Sequence, residues 1–141
     1  MYKDVTVVIP CLNEEVSIGK VIEDVRKYLP GAQIVVVDND STDTTYSIAL
    51  ELADIVLVEK RKGKGFAANL GFDHANSNVV IIVDGDATYS ISDAPQIAEF
   101  IRTGIDMVVA KRIHSQSHAY RKGHLLGNKF FAQLQLSLIH I

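Results

Sequence analysis

The sequence has almost no cysteine and no long apolar run, and we expect it to carry no signal peptide. Cys11 is the one cysteine among 141 residues, so no disulfide can form within the chain and we expect a reducing compartment. No neighbouring residue in the sequence would lower the pKa of this thiol, so a nucleophilic role is not expected. No apolar run approaches the ~20 residues that a membrane-spanning helix needs, and residues 1–4 lead directly into a strand-like segment. We therefore expect a soluble, cytoplasmic chain.

The sequence also lacks an excess of basic residues. Its formal net charge is -3, with 14 Lys and Arg against 17 Asp and Glu, so we expect no nucleic-acid partner. The basic residues cluster instead at 60–64 and between 111 and 122, which suits a phosphorylated small molecule. Apolar residues make up 48% of the chain, which excludes disorder, and the length predicts one domain with a real core.

Apolar segments alternate with segments of helical periodicity along the chain. Strands that are apolar throughout and alternate with helices predict an α/β fold, in which a mostly parallel sheet is covered by helices on both faces. The predicted strands are 5–9, 34–37, 55–58, 79–83 and 107–110. The predicted helices are about 18–29, a second helix capped by Ser41 or Thr42 and ending near 53, then about 66–75, about 93–103, and one that begins near Arg121.

A pair of acids follows the fourth predicted strand, in the segment VVIIVDGD at 79–86. The apolar run predicts a central strand that is buried on both faces, and ligands of parallel sheets bind beyond the carboxyl ends of the strands. Asp84 and Asp86 would therefore face a crevice. Two carboxylates one residue apart can bind a divalent cation, which in turn can neutralise a diphosphate. An isolated Asp-x-Asp is more often a turn, so the interpretation depends on the other strand ends.

The other predicted strand ends are also polar. Carboxylate and amide groups follow the first strand at 13–15 and the second at 38–43, and Lys111 and Arg112 follow the fifth. The segment KGKG at 62–65 adds cations, although it is equally compatible with a solvated charge run. A ribose and a base require carboxylate and amide acceptors, whereas a diphosphate requires a metal and cations. The rim of the predicted sheet supplies both sets.

Five motifs in this order resemble glycosyltransferase family 2: VVIPCLNEE, VVVDNDSTDTT, GKGFAANLG, IIVDGDATY and MVVAKR. The chain is most similar to the dolichol-phosphate mannosyltransferase and polyprenyl-phosphate sugar transferase branch, over about residues 4–135. The resemblance implies a three-layer nucleotide-diphospho-sugar transferase fold of the GT-A type. It also implies a nucleoside-diphosphate sugar donor, linked to UDP or GDP, a divalent metal (Mg²⁺ or Mn²⁺) and inversion at the anomeric carbon.

The resemblance assigns roles to individual residues on the donor side. Asp84 and Asp86 match the metal-binding Asp-x-Asp, with Asp86 as the direct ligand. Thr88 stands where the branch has a glutamine that completes the metal site. Lys64 is expected on the donor diphosphate as a cation of the segment at 62–65 rather than through the resemblance. The expected nucleotide contacts are Pro10, Leu12, Glu14 and Asp38, of which Asp38 binds the base or the ribose.

The resemblance also implies a lipid-phosphate acceptor, a polyprenyl or dolichyl phosphate. Arg112 and Arg121 match arginines that contact the donor or acceptor phosphate. Such an acceptor is already ionised near neutral pH, so it needs cations that position it rather than a general base.

Three alternative functions differ in how well the sequence supports them. A dehydrogenase is disfavoured because G-x-G-x-x-G is missing at the first turn. A sugar-phosphate nucleotidyltransferase would carry a basic, glycine-rich loop there, and residues 11–14 form no such loop. A chain that binds a nucleotide sugar without turnover remains an alternative.

The last six residues, LSLIHI, resemble a translated sequencing adaptor. We therefore expect residues 1–135 to be the donor-binding part of a catalytic domain and 136–141 to be a non-native tail. Membrane association, at the cytoplasmic face, is expected only through parts that lie further downstream.

Overall fold

The computed structural model describes residues 1–88 and 90–110, and all of its helices and strands belong to the compact unit Met1–Val109. Strands and helices alternate, as the hydrophobic pattern predicts. The strands are β1 (Val5–Cys11), β2 (Gln33–Asp38), β3 (Ile55–Val58) and β4 (Val79–Ile82). The helices are α1 (Ile18–Tyr28), α2 (Thr45–Leu52), α3 (Lys64–His74) and α4 (Ala94–Arg102).

The four strands form one parallel sheet in the order β3-β2-β1-β4. Pairing joins Cys11 of β1 to Asp38 of β2 and Asp38 to Val58 of β3, so these carboxyl ends lie side by side. Polar residues that follow the strands are therefore brought to a common edge, as expected for a parallel α/β sheet.

Helices cover both faces of the sheet, which gives three layers. Alternate residues of a strand point to opposite faces. On one face, Val7, Ile9 and Val36 belong to a core that α1, α2 and α4 complete. On the other face, Val8, Val35 and Val37 pack with Ala67 of α3. These findings confirm the predicted α/β class.

Two predictions about strands are wrong within the described residues. The segment 107–110 belongs to no strand, and Met107 and Val109 are 76% and 74% exposed. Apolar composition favours a strand only where a neighbour offers its hydrogen-bonding edge. In addition, β4 is the outermost of the four strands rather than a central one, and Val80 and Ile82 are exposed on the α3 face.

The prediction for the start of α2 is also wrong. The helix begins at Thr45, because Ser41 and Thr42 are engaged elsewhere: Ser41 Oγ accepts a hydrogen bond from Asn13 N at 2.9 Å, and Thr42 N donates to Asn13 Oδ1 at 2.8 Å. The other predicted boundaries agree with the structure to within about two residues. The helix predicted from Arg121 lies outside the described residues. No helix in the described part is long and apolar enough to cross a membrane.

Candidate functional site

A cleft of about 260 Å³ opens at the carboxyl edge of the sheet, between the ends of β1 and β4 and the start of α3. Six sequence-predicted residues line it together: Pro10, Leu12, Glu14, Lys64, Asp84 and Asp86. The remaining lining residues are Cys11, Asn39, Gly63, Ala67 and Gly85.

The wall of the cleft after β1 is fixed by the loop after β2. Three successive backbone N–H groups, at Asn13, Glu14 and Glu15, donate to Ser41 Oγ, Thr45 Oγ1 and Asp43 Oδ2, at 2.9, 2.7 and 3.2 Å. In return, Glu15 Oε2 accepts from the backbone and hydroxyl of Thr44, at 3.1 and 2.7 Å. The run STDTT at 41–45 therefore serves as a partner for the neighbouring loop, which presents Leu12 and Glu14 to the cleft.

The acidic turn after β4 is packed tightly against β1. A Cβ added to Gly85 would lie 3.0 Å from Cys11 Cβ and 3.6 Å from Glu14 Cγ, so only glycine fits between the two acids without displacement. Asp86 Oδ1 accepts a hydrogen bond from Thr88 N at 2.9 Å, which orients this carboxylate. Ala87 has a φ of 54°, a left-handed conformation that completes the turn.

The acid pair already faces a cation. Lys64, the first residue of α3, forms an ion pair with Asp84 across the cleft. The lysine ammonium balances the negative charge of this carboxylate, and a metal bound by the acid pair would share Asp84 with it. No cluster of three or more His, Cys, Asp or Glu side chains suited to a metal occurs in the described ranges. Mg²⁺ is often bound by one or two carboxylates together with substrate phosphates and water, and Asp84 and Asp86 fit that pattern.

Asp38 does not line the cleft, in contrast to the expectation. Its side chain follows the alternation of β2 onto the face that Val36 shares, where it is 3% exposed. Its Oδ2 accepts from Ser41 N at 3.1 Å, whereas Oδ1 is buried without a hydrogen-bond partner among the described residues. A role in nucleotide binding stays a prediction for Asp38.

Asn39 lines the cleft instead; it belongs to the polar run at 38–43, but no individual role is predicted for it. Its Nδ2 donates to the carbonyls of Glu59 and Arg61 at 2.7 and 2.8 Å, and its Oδ1 accepts from Gly63 N at 2.8 Å. The signal that distinguishes it from Asp38 is its place one residue beyond a buried strand, where side-chain alternation turns it towards α3.

Cys11 forms part of the floor and is chemically quiet. Burial, reinforced by the negative charges of Asp38 and Glu14, raises the pKa of its thiol from 9.0 to about 12. Its Sγ donates to the carbonyl of Val37 at 3.7 Å. The thiol is therefore neutral at physiological pH, in agreement with the expectation that it is not a nucleophile. Arg112 and Arg121 lie outside the described residues.

Comparison with known proteins identifies the family. The model of the family described as "Glycosyl transferase family 2" matches residues 6–139. The chain belongs to glycosyltransferase family 2. The resemblance found in the five motifs is thereby confirmed.

Two curated relatives illustrate the match. Protein RfbJ of Shigella flexneri is 39% identical over 123 residues, which are 86% of this chain and 95% of RfbJ. The dolichyl-phosphate hexose transferase of Haloferax volcanii is 30% identical over 133 residues, which are 94% of this chain and 58% of that protein. Several other relatives are longer, and the chain spans 48% of a mycobacterial glycosyltransferase that it matches.

A solved structure shows the same fold. Glucosyl-3-phosphoglycerate synthase from Mycobacterium tuberculosis, in complex with Mn²⁺, UDP-glucose and phosphoglyceric acid, matches with a TM-score of 0.63 and 26% identity. The match covers 71% of this chain and 40% of the synthase chain. The fold of this chain is therefore the GT-A type of nucleotide-diphospho-sugar transferases.

Proposed function

We propose that this chain is the donor-binding part of an inverting, metal-dependent glycosyltransferase. It would move a hexose from a nucleoside-diphosphate sugar, linked to UDP or GDP, to a polyprenyl or dolichyl phosphate. The observation that carries the proposal is the pairing of Asp84 with Lys64 beside Asp86 in one cleft. A diphosphate requires positive charge on more than one side, and this cleft offers a carboxylate pair for a metal and a lysine opposite.

The binding mode follows from the groups that line the cleft. Asp86, with Asp84 and Thr88 nearby in the turn, would hold Mg²⁺ or Mn²⁺, which offsets charge on the departing diphosphate. Lys64 would leave Asp84 and contact the diphosphate from the side of α3. Pro10, Leu12 and Glu14 would face the nucleoside, since they form the wall at the end of β1. The acceptor oxygen would then attack the anomeric carbon in line with the departing diphosphate.

The acceptor proposal draws on the branch that the chain resembles. A phosphate acceptor carries its own negative charge and needs no proton removed, so the chemistry requires positioning cations alone. Arg112 and Arg121 are proposed for that task. One relative is described as a dolichyl-phosphate hexose transferase, which supports this acceptor class. The reaction would take place at the cytoplasmic face of a membrane.

A transfer assay tests the proposal. The chain is incubated with Mn²⁺, a panel of labelled UDP- and GDP-sugars and polyprenyl phosphate, and the label that partitions with lipid is measured. We expect lipid-linked sugar of inverted anomeric configuration, and a loss of at least ~10²-fold in Asp86→Asn, since the metal's charge stabilisation is removed. Binding of the donor without transfer would leave the chain a nucleotide-sugar-binding protein. Release of pyrophosphate from a nucleoside triphosphate would favour a nucleotidyltransferase.

A further inference from the structure

We propose that Asn39 is a positioning residue, which holds the turn at Gly63 and thereby places Lys64 against the acid pair. The proposal rests on the proposed function, because the value of that placement is a cation on the donor diphosphate. Asn39 lies in the motif VVVDNDSTDTT, but the resemblance assigns it no role.

The amide of Asn39 joins β2 to the loop that precedes α3. Asn39 is 3% exposed, and its backbone N–H donates to the carbonyl of Cys11 at 2.9 Å, so the residue is fixed to the end of β1. From this anchor its side chain reaches three points of the segment 59–63, at 2.7, 2.8 and 2.8 Å. These three hydrogen bonds attach the loop to the sheet, in addition to the backbone bond from Glu59 N to the carbonyl of Asp38 at 2.9 Å.

The hydrogen bonds that the Asn39 amide already makes argue against a direct contact with the nucleobase of the donor. An asparagine amide has two N–H donors, and both are donated to loop carbonyls. The carbonyl oxygen accepts from Gly63. Asn39 lines the cleft, yet it has no donor left with which to read a nucleobase.

The attached loop determines where α3 begins. Gly63 has a φ of 136°, and its carbonyl accepts from Phe66 N at 3.0 Å, which starts the helix at Lys64. Within the loop, Glu59 pairs with Arg61 at 2.6 Å, which lowers the pKa of Glu59 to about 2. A stiff loop held at three points gives Lys64 a defined starting position, from which it reaches Asp84.

Substitution of Asn39 tests the proposal by calorimetry with UDP and GDP in the presence of Mn²⁺. Asn39→Ala removes all three side-chain hydrogen bonds, and Asn39→Asp keeps only the acceptor for Gly63. We expect each variant to bind the nucleotide about tenfold more weakly, because lost hydrogen bonds let the loop move. The fold-loss should be the same for UDP and GDP. Asn78→Ala, an exposed asparagine at the opposite end of the sheet, serves as the matched control and should bind like the parent chain.

A double variant shows whether Asn39 acts through Lys64. If it does, Asn39→Ala should add little further loss in a Lys64→Met background. Fully additive losses would overturn the proposal, and so would a loss confined to one of the two bases, which would make Asn39 a base-reading residue.

Hydrogen exchange on the unaltered chain provides a test that does not depend on the folding of a variant. The Gly63 amide should exchange slowly, because it is donated to a buried oxygen, whereas rapid exchange would contradict the attachment. If the parent chain binds no nucleotide in the presence of Mn²⁺, the proposed function fails. The attachment is then still judged by the exchange of Gly63.

Discussion

Among single residues, Lys64 has two opposing effects on the cleft. Its ammonium group pairs with Asp84, where it would compete with a bound metal, and under the proposed function it would also offer a cation to a diphosphate. We expect Lys64→Met to bind Mn²⁺ alone about two- to fivefold more tightly. The change is small because a partly exposed ion pair such as Lys64–Asp84 contributes little free energy. The same variant should bind a nucleoside diphosphate more weakly in the presence of Mn²⁺. Calorimetry with metal alone and then with nucleotide separates the two effects.

The matched control for this variant is Lys3→Met, which removes a lysine at the opposite end of β1. It should change neither affinity. If Lys64→Met lowered the affinity for Mn²⁺ alone, the interpretation of the lysine as a competitor for Asp84 would be wrong.

Cys11 gives a prediction that depends on pH. Because its pKa is 9.0 as a free group and about 12 when folded, the neutral thiol favours the folded state. This contribution is complete below pH 9.0 and is lost as the pH rises towards about 12. The stability of the parent chain should therefore fall more steeply over this window than that of Cys11→Ala, as measured by denaturation at a series of pH values. Rapid labelling of the native thiol just below pH 9.0 would contradict the burial.

The residues of the site could be predicted to different extents. Asp84, Asp86, Glu14 and Lys64 follow from one rule, that polar residues after parallel strands meet at the carboxyl edge. The choice between neighbours at a strand end depends on which face each side chain takes. That choice places Asn39, rather than Asp38, in the cleft, and it requires the exact end of β2.

Among the elements, the packing of α3 against β1 depends on a single glycine, Gly71. A Cβ at Gly71 would lie 2.2 Å from Val8 Cγ1 and 3.2 Å from Val37 Cγ2, so α3 packs on β1 with no room for a side chain. We expect Gly71→Ala to lower the free energy of unfolding by about 1–3 kcal/mol, through overpacking. Gly65→Ala, in the same helix with nothing within 4 Å, should be neutral or stabilising by up to ~1 kcal/mol.

Denaturant titration of both variants measures this difference. Equal stability of the two would show that α3 can move away from β1. A loss of nucleotide binding confined to Gly71→Ala would further indicate that the packing of α3 places Lys64.

The secondary structure was largely predictable because buried strands and amphipathic helices have distinct periods. The strand β3 agrees with its prediction at both ends. The segment 107–110 was mispredicted because pairing is not a property of the segment alone. The start of α2 was mispredicted because hydroxyl side chains can bind a neighbouring loop as well as cap a helix.

For the molecule as a whole, β3 and β4 are the two outer strands of the sheet in the described part of the chain, and β4 exposes apolar side chains. Ile82 is 43% exposed on the α3 face, whereas Ile81 packs against the main core on the other. We expect Ile82→Lys to cost under ~1 kcal/mol and to reduce self-association, since a lysine on an edge strand blocks pairing between sheets. Ile81→Lys should cost more, about 2–3 kcal/mol, because Ile81 is partly buried against the core and a lysine there loses part of its hydration.

Sedimentation velocity over a range of concentrations measures the self-association of Ile82→Lys. Denaturant titration measures the loss of stability in both variants. Equal destabilisation by the two lysines would mean that Ile82 is covered in solution. Unchanged association in Ile82→Lys would show that β4 does not mediate contacts between copies.

The measurement that tests the account most directly is the affinity for UDP and GDP with Mn²⁺ and with chelator. It is made by calorimetry on the parent chain and on Asp86→Asn. The acid pair requires a metal to hold a diphosphate. We therefore predict that chelator lowers the affinity of the chain for its preferred nucleotide by at least ~tenfold. Asp86→Asn with Mn²⁺ should show the same loss, and Asn78→Ala should show none. Equal affinity for both nucleotides with and without chelator would contradict the central claim that Asp84 and Asp86 form a metal-dependent diphosphate site.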